Sequence, residues 1–137
     1  MIRIGLLGAG RIGQVHARAV SSVPTAQLVA IADPISAAAG AVRNTYGCDI
    51  RTIEQILVSD DIDAVIICTP TDTHADLIEQ FARAGKAIFC EKPVDLDLER
   101  VQACLSVVNE TNTTLMVGFQ RRYDPDFQAL RAASDAG

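Results

Sequence analysis

Short apolar segments without polar alternation recur along the whole chain, and most are followed by a segment with helical spacing. They run from Ile2 to Leu7, Leu28 to Ala32, Ala64 to Cys68, Ala87 to Cys90 and Leu115 to Val117. Strands that lie between two helical layers are apolar on both faces. Strands that alternate with helices form parallel sheets through right-handed crossovers. The sequence therefore predicts an α/β fold with a doubly wound, mainly parallel sheet.

The segments between the apolar runs carry helix signals. After the first run, Ile12, Val15 and Ala19 recur at helical spacing and predict a helix with these residues as its apolar face. Thr73-His74-Ala75-Asp76 resembles a capping box and predicts the start of a later helix. After Val117 the pattern stops, and residues 121–137 are too few for another domain. We expect them to be a linker and the first helix of a domain that is absent.

Composition excludes several classes of protein. The chain has 137 residues, 49% of them apolar and 21% charged, as expected of one globular domain. Its net charge of −5 argues against general nucleic-acid binding. No apolar run approaches the roughly 18 residues of a membrane span, and the N-terminus lacks the pattern of a signal peptide. Because Cys48, Cys68, Cys90 and Cys104 form no CxxC pair, we favour reduced thiols in a cytoplasmic protein over disulfides or a metal site.

A glycine-rich hexapeptide follows the first predicted strand and opens the first predicted helix. Gly8, Gly10 and Gly13 fit the pattern G-x-G-x-x-G. In a dinucleotide-binding turn the first glycine permits the tight turn, the second lets a pyrophosphate approach the backbone, and the third lets helix and strand pack closely. The alternative is a tight turn without a ligand. The position of the motif favours a dinucleotide site.

An acidic residue stands where such a site needs one. Asp33 ends the second apolar run, 20 residues after Gly13. A carboxylate there accepts hydrogen bonds from the ribose hydroxyls of NAD and repels the 2′-phosphate of NADP. The alternative is that Asp33 is only a turn residue before Pro34. We expect the cofactor to be NAD.

Ligands of such sheets bind beyond the carboxyl ends of the strands, and one of these ends carries an unusual triplet. Glu91-Lys92-Pro93 follows an apolar strand. The Lys92 ammonium can donate to hydroxyl oxygens, and burial would lower its pKa into a useful range. Glu91 can accept from a ribose or an amide, and Pro93 fixes the turn, with a cis peptide bond as one option. The alternative is a solvated, salt-bridged turn.

Other polar residues near the strand ends are candidates for the same site. The hydroxyls of Thr69 and Thr71 can contact a cofactor, although Thr71 can also cap the next helix. His74 stands in the first turn of that helix, where the helix dipole favours a neutral, hydrogen-bonding ring. Its alternative is a partly exposed capping residue. For His16 we favour helix packing.

Four segments together resemble one protein family. GLLGAGRIGQVHA, DAVIICTPTDTHADL, CEKPVDL and VGFQRRYDPDF are similar to motifs of the Gfo/Idh/MocA family of NAD(P)-dependent oxidoreductases, and the last is most similar to its inositol 2-dehydrogenase branch. The resemblance implies a Rossmann domain over residues 1–120, followed in relatives by a substrate domain built on a large antiparallel sheet. It also implies a set of cofactor contacts: Gly8, Gly10, Arg11, Ile12, Asp33, Thr69, His74, Glu91 and Gln120.

The resemblance also implies a reaction. Lys92 would lie where the nicotinamide ribose meets the substrate hydroxyls, with Arg121 on the same side. The reaction would be hydride transfer from a secondary alcohol of a polyol or sugar to NAD. An Asp and a His that bind substrate and act as base in inositol-type members have no counterpart here. We therefore expect NAD binding without turnover in the isolated chain. A stand-alone NAD-binding or assembly module and a scaffold domain without ligand remain alternatives, and homo-oligomers through uncovered apolar surface are a further option.

Overall fold

One six-stranded parallel sheet organises the chain. The computed structural model describes residues 1–137, and its strands lie in the order β3-β2-β1-β4-β5-β6 with every pairing parallel. The strands are β1 (Ile2–Leu7), β2 (Ala26–Ala32), β3 (Asp49–Ile50), β4 (Ala64–Ile67), β5 (Ala87–Cys90) and β6 (Leu115–Val117). The chain order reverses between β1 and β4, so the predicted doubly wound sheet is confirmed.

Six α-helices connect or follow the strands. They are α1 (Arg11–Ser21), α2 (Ser36–Tyr46), α3 (Ile53–Leu57), α4 (His74–Arg83), α5 (Leu98–Glu110) and α6 (Pro125–Asp135), with 3-10 turns at Thr71–Thr73 and Gln120–Tyr123. Helix α6 buries none of its residues. None of the helices combines the length and the apolar character that a membrane crossing requires.

The capping box predicted at Thr73 was wrong. No side chain caps α4, and Thr73 itself is helical because the 3-10 turn runs directly into the helix. The Thr73 hydroxyl donates to the Pro70 carbonyl instead. The chain's capping box lies at α3, where the Thr52 hydroxyl accepts from the Gln55 N–H and the Gln55 side chain accepts from the Thr52 N–H.

The sheet separates two apolar cores. Helices α3, α4 and α5 cover one face through residues such as Ile56, Phe81 and Val108. Helices α1 and α2 cover the other face through Ala17 and Val42. Burial raises the pKa of Cys90, in the first core, to about 12, so this thiol stays protonated.

Helix α1 packs on a different face from the one predicted. Its buried residues are Gly13, Ala17 and Val20, while Ile12 and Val15 are 40% and 53% exposed. A Cβ added to Gly13 would lie 2.0 Å from the Gly8 carbonyl oxygen. The helix approaches β1 so closely that only small residues fit between them, and this leaves the larger apolar side chains on the outer side.

One half of the sheet is uncovered on the α1 side. Because α1 and α2 cover β1 to β3, the same face of β4, β5 and β6 forms an open apolar groove. Ile66, Phe89 and Met116 line it, together with Ile4 of β1. We call this surface the open sheet face.

Candidate cofactor site

The carboxyl ends of the strands meet at one edge of the sheet and enclose a crevice beside the switch point between β1 and β4. This crevice has a volume of about 510 Å³. It gathers most of the residues predicted for the site: Arg11, Ile12, Thr69, Thr71, His74, Glu91, Lys92 and Gln120. Residues more than 100 positions apart in the chain thus form one cavity.

The three glycines of the turn have three separate roles. Gly8 has a φ of 95°, which favours glycine, and a Cβ there would lie 2.6 Å from the Cys68 carbonyl oxygen. Gly13 permits the close approach of α1 to β1 described above. A Cβ at Gly10 would meet nothing within 4 Å, so the backbone there faces open space. No side chain caps α1, which leaves its first N–H groups available to a phosphate.

Asp33 joins β2 to the glycine turn. Its Oδ2 accepts a hydrogen bond of 2.6 Å from the Ala9 N–H, and its Oδ1 accepts one of 2.8 Å from the Ile35 N–H. The second bond shows that Asp33 also shapes the turn around Pro34. A carboxylate has about four acceptor positions, so two remain for ribose hydroxyls. A second cavity of about 470 Å³ adjoins Asp33 and is lined by Thr52 and Ile53 at the start of α3. Together these features have the size and chemistry to hold the adenosine half of a dinucleotide.

The Thr69 hydroxyl is oriented by its neighbours. Thr73 donates its only hydroxyl proton to Pro70 at 2.7 Å, so the 2.7 Å contact between the two threonine hydroxyls requires Thr69 to donate. Thr69 therefore presents acceptor lone pairs to a ligand.

His74 is buried beside the cavity, where its ring contacts the backbone after two strands. The ring is 1% exposed, its Nδ1 lies 2.7 Å from the Pro93 carbonyl oxygen, and its Nε2 lies 2.8 Å from that of Thr69. The partly exposed capping residue considered above is not what the structure shows. Both ring nitrogens thus face carbonyl oxygens, one from each of the segments that follow β4 and β5. With both nitrogens engaged, the geometry favours positioning the two strand ends over direct contact with a cofactor.

Lys92 stands at the mouth of the crevice. The residue is exposed, its peptide bond to Pro93 is cis, and its ammonium takes part in none of the ion pairs. Of the alternative, a solvated, salt-bridged turn, the structure shows the exposure to solvent but no ion pair of Lys92. Burial of the Lys92 ammonium, which was expected from the sequence, is not observed in this chain.

Glu91 is held in place by His16, a contact that the sequence analysis missed. His16 Nε2 lies 2.7 Å from Glu91 Oε1, and the imidazole packs on the Phe89 ring at a centroid distance of 4.9 Å. His16 does pack as predicted, but it also reaches the site. One signal was available: His16 follows Ile12 by four residues and shares its helix face.

Two further side chains near the strand ends, Arg121 and Cys68, differ in their position relative to the crevice. Arg121 does not border the crevice, because its guanidinium pairs with Asp124 at 3.4 Å and lies 4.7 Å from the Phe127 ring centre. Cys68 does border it, but burial, followed by the charge of Glu91, raises the pKa of this thiol to about 12. Cys68 is therefore not a nucleophile at neutral pH.

Comparison with known proteins agrees with this geometry. A family model described as an oxidoreductase family with an NAD-binding Rossmann fold matches residues 2–119. The chain is 67% identical over 136 residues to an inositol 2-dehydrogenase of Rhizobium meliloti (strain 1021), covering 99% of this chain and 41% of that protein. It is 43% identical over 139 residues to a scyllo-inositol 2-dehydrogenase (NAD(+)) of Bacillus subtilis (strain 168), with coverage of 99% and 41%.

A solved structure gives the same result. Scyllo-inositol dehydrogenase from Lactobacillus casei, with bound NAD(H) and scyllo-inositol, superposes with a TM-score of 0.93 at 30% identity, covering 100% of this chain and 42% of that one. The chain thus spans about two fifths of the length of these relatives. It belongs to the Gfo/Idh/MocA family of oxidoreductases, and its six-stranded sheet is the NAD-binding Rossmann fold of that family.

Proposed function

We propose that this chain is the cofactor domain of an NAD-dependent dehydrogenase that oxidises a secondary alcohol of a polyol or sugar, with inositols as the first candidates. The observation that carries the proposal is the open backbone at Gly10 before the uncapped start of α1, with Asp33 fixed beside it. The substrate class rests on the relatives, which are named inositol dehydrogenases.

The adenosine half and the pyrophosphate would bind on the β1 and β2 side. The N–H groups of Arg11 and Ile12 at the start of α1 face the pyrophosphate, where the helix dipole favours an anion. The free acceptor positions of Asp33 receive the ribose diol. A 2′-phosphate would bring negative charge against the Asp33 carboxylate, and this is the physical reason for a preference for NAD over NADP.

The nicotinamide half would extend across the switch point toward β4 and β5. Bound NAD would supply the hydride acceptor, and the protein would orient it. Thr69, Thr71 and Gln120 border this part of the crevice and offer hydrogen bonds to ribose or amide groups. Lys92 donates to the oxygen of the reacting alcohol and is the proposed catalytic residue of this chain. Arg121 is proposed to lie on the same side when a substrate domain is present.

Other features of the parent protein are proposals of the same kind. From the family resemblance we infer a general base in a second domain, so the 137 residues should bind NAD without oxidising a polyol. The location would be the cytoplasm. The open sheet face, with Phe89 and Met116 in contact with solvent, would favour homo-oligomers of the isolated chain.

Calorimetric titration of the chain with NAD and NADP tests the cofactor, and NADH absorbance with myo- and scyllo-inositol tests turnover. The proposal expects saturable NAD binding, weaker NADP binding and no NADH from the chain alone. A protein of this family that contains the chain should form NADH from an inositol. Failure of NAD to bind would overturn the cofactor site, and parent-like turnover by the isolated chain would overturn the assignment of the base to another domain.

A further inference from the structure

His16 connects helix α1 to the end of β5. Its Nε2 lies 2.7 Å from Glu91 Oε1, and its ring packs on Phe89 at 4.9 Å with an interplanar angle of 59°. The His16 and Glu91 side chains are only 19% and 16% exposed. The imidazole is therefore held by its tilted packing on Phe89 and by the contact of Nε2 with Glu91, and it has little freedom to leave the carboxylate.

The Glu91 carboxylate is also enclosed from its other sides. Oε2 lies 3.3 Å from the Lys92 N–H, which donates to it. A Cβ added to Gly118, just after β6, would lie 3.2 Å from Oε1 and 3.1 Å from the Phe89 ring. Residues from α1, β5 and the end of β6 thus fix one orientation of the carboxylate, at the border of the crevice.

This carboxylate lies on the nicotinamide side of the site. In the strand order β3-β2-β1-β4-β5-β6, Asp33 at β2 holds the adenosine half and Gly10 after β1 faces the pyrophosphate. The rest of an extended dinucleotide must then cross β4 toward β5, where Glu91 and Lys92 stand.

We propose that His16 is a positioning residue for the nicotinamide half of the cofactor and that it acts through Glu91. The hydrogen bond from Nε2 keeps the carboxylate turned toward the crevice, where it accepts from the nicotinamide ribose or amide. This inference rests on the proposed NAD site. A purely structural His16 would instead support α1, and through it the pyrophosphate as much as the nicotinamide.

The two roles differ in which ligand they affect. NAD contains both halves, whereas ADP carries only the adenosine and pyrophosphate portion. Calorimetric titration of the 137-residue chain with NAD and with ADP should therefore compare three variants. His16→Phe keeps a ring on Phe89 without a donor, and His16→Gln places an amide N–H near the position of Nε2. Arg18→Gln, on an exposed turn of α1, is the matched control.

We expect His16→Phe to weaken NAD binding about tenfold, the scale of one lost hydrogen bond to a charged group, and to leave ADP affinity within about twofold. His16→Gln should recover most of the NAD affinity, and Arg18→Gln should change neither ligand. In a Glu91→Gln background, His16→Phe should have no further effect on NAD, because the residue acts through that carboxylate. If His16→Phe does not fold, His16→Leu gives the same comparison.

Equal loss of NAD and ADP affinity, or unchanged NAD affinity in His16→Phe, would overturn the inference while leaving the proposed function intact. The same holds if His16→Phe and Glu91→Gln are additive. Absence of binding of both NAD and ADP to the unchanged chain would overturn the proposed function and this inference together.

Discussion

Two glycines of the same turn should respond to substitution in opposite ways. At Gly10, φ and ψ are −65° and −171°, a conformation that any residue can adopt, and a Cβ meets no protein atom within 4 Å. Gly10→Val therefore places its side chain in the space where we expect the pyrophosphate. At Gly13, the same addition places carbon 2.0 Å from the Gly8 carbonyl oxygen and 2.9 Å from its carbon.

The expected magnitudes follow from these contacts. In Gly10→Val, loss of glycine at the N-cap should lower the free energy of unfolding by about 1 kcal/mol. The reduced conformational freedom of the unfolded chain should raise it by about 0.4–1 kcal/mol. The variant should therefore be nearly as stable as the unchanged chain. NAD affinity should fall by about 100-fold or more, roughly 2.7 kcal/mol. In Gly13→Ala the new Cβ is fixed to the backbone of α1 and overlaps backbone atoms of Gly8. Neither side can move aside as a flexible side chain would, so helix and strand must separate. The cost should be about 3 kcal/mol, the upper range of core overpacking, or a drop of about 10 °C in Tm.

Thermal unfolding followed by circular dichroism, together with calorimetric NAD titration, measures both effects. Gly40→Ala is the matched control, since its Cβ also meets nothing within 4 Å and it lies within α2. It should leave NAD binding unchanged and raise stability by about 0.5–1 kcal/mol. Wild-type NAD affinity in Gly10→Val would refute the placement of the pyrophosphate. A wild-type Tm in Gly13→Ala would refute the close approach of α1 to β1.

Three other predictions concern charged side chains. Asp33→Ala should weaken NAD more than NADP and narrow the difference between them by about 1–3 kcal/mol; calorimetry that shows equal affinities in the unchanged chain would contradict this interpretation. Lys92→Ala should alter NAD affinity of the chain less than about threefold, but should lower turnover of a family protein containing it by about 100-fold; a larger loss of binding than of turnover would reverse the assignment. Side-chain and backbone hydrogen bonds from Arg3 lower the pKa of Asp63 from 3.8 to about 2, so this contact stabilises the fold above about pH 4 and is lost as the pH falls toward 2. Asp63→Asn should therefore flatten the acid side of a plot of unfolding free energy against pH, and an unchanged slope would count against this role.

The parts of the fold that depend on residue type alone were predictable. The apolar runs marked the strands because both faces of a parallel sheet are covered. The glycine turn was predictable because its backbone requires residues without a side chain, as the φ of 95° at Gly8 and the contact at Gly13 show.

The parts that depend on distance were not predictable. Hydrophobic periodicity favoured Ile12 and Val15 as the packing face of α1, because it records apolar character and not how closely the helix approaches the sheet. The pairing of His16 with Glu91 joins residues 75 positions apart. Nothing in the sequence around His74 indicated that its two ring nitrogens would contact carbonyl oxygens from two different strand ends.

The bond between Asp33 and the Ala9 N–H has a consequence for the evolution of cofactor choice. A lineage that moves from NAD toward NADP must remove the negative charge at this position, yet Asp33 Oδ2 also anchors the glycine turn, where we propose that the pyrophosphate binds. Replacing Asp33 by a residue without a hydrogen-bond acceptor should therefore give an evolutionary intermediate that binds both cofactors poorly. Substitutions that retain an acceptor, such as Asp33→Ser or Asp33→Asn, open a path on which each step remains functional. We therefore expect NADP-dependent relatives to carry such residues at this position.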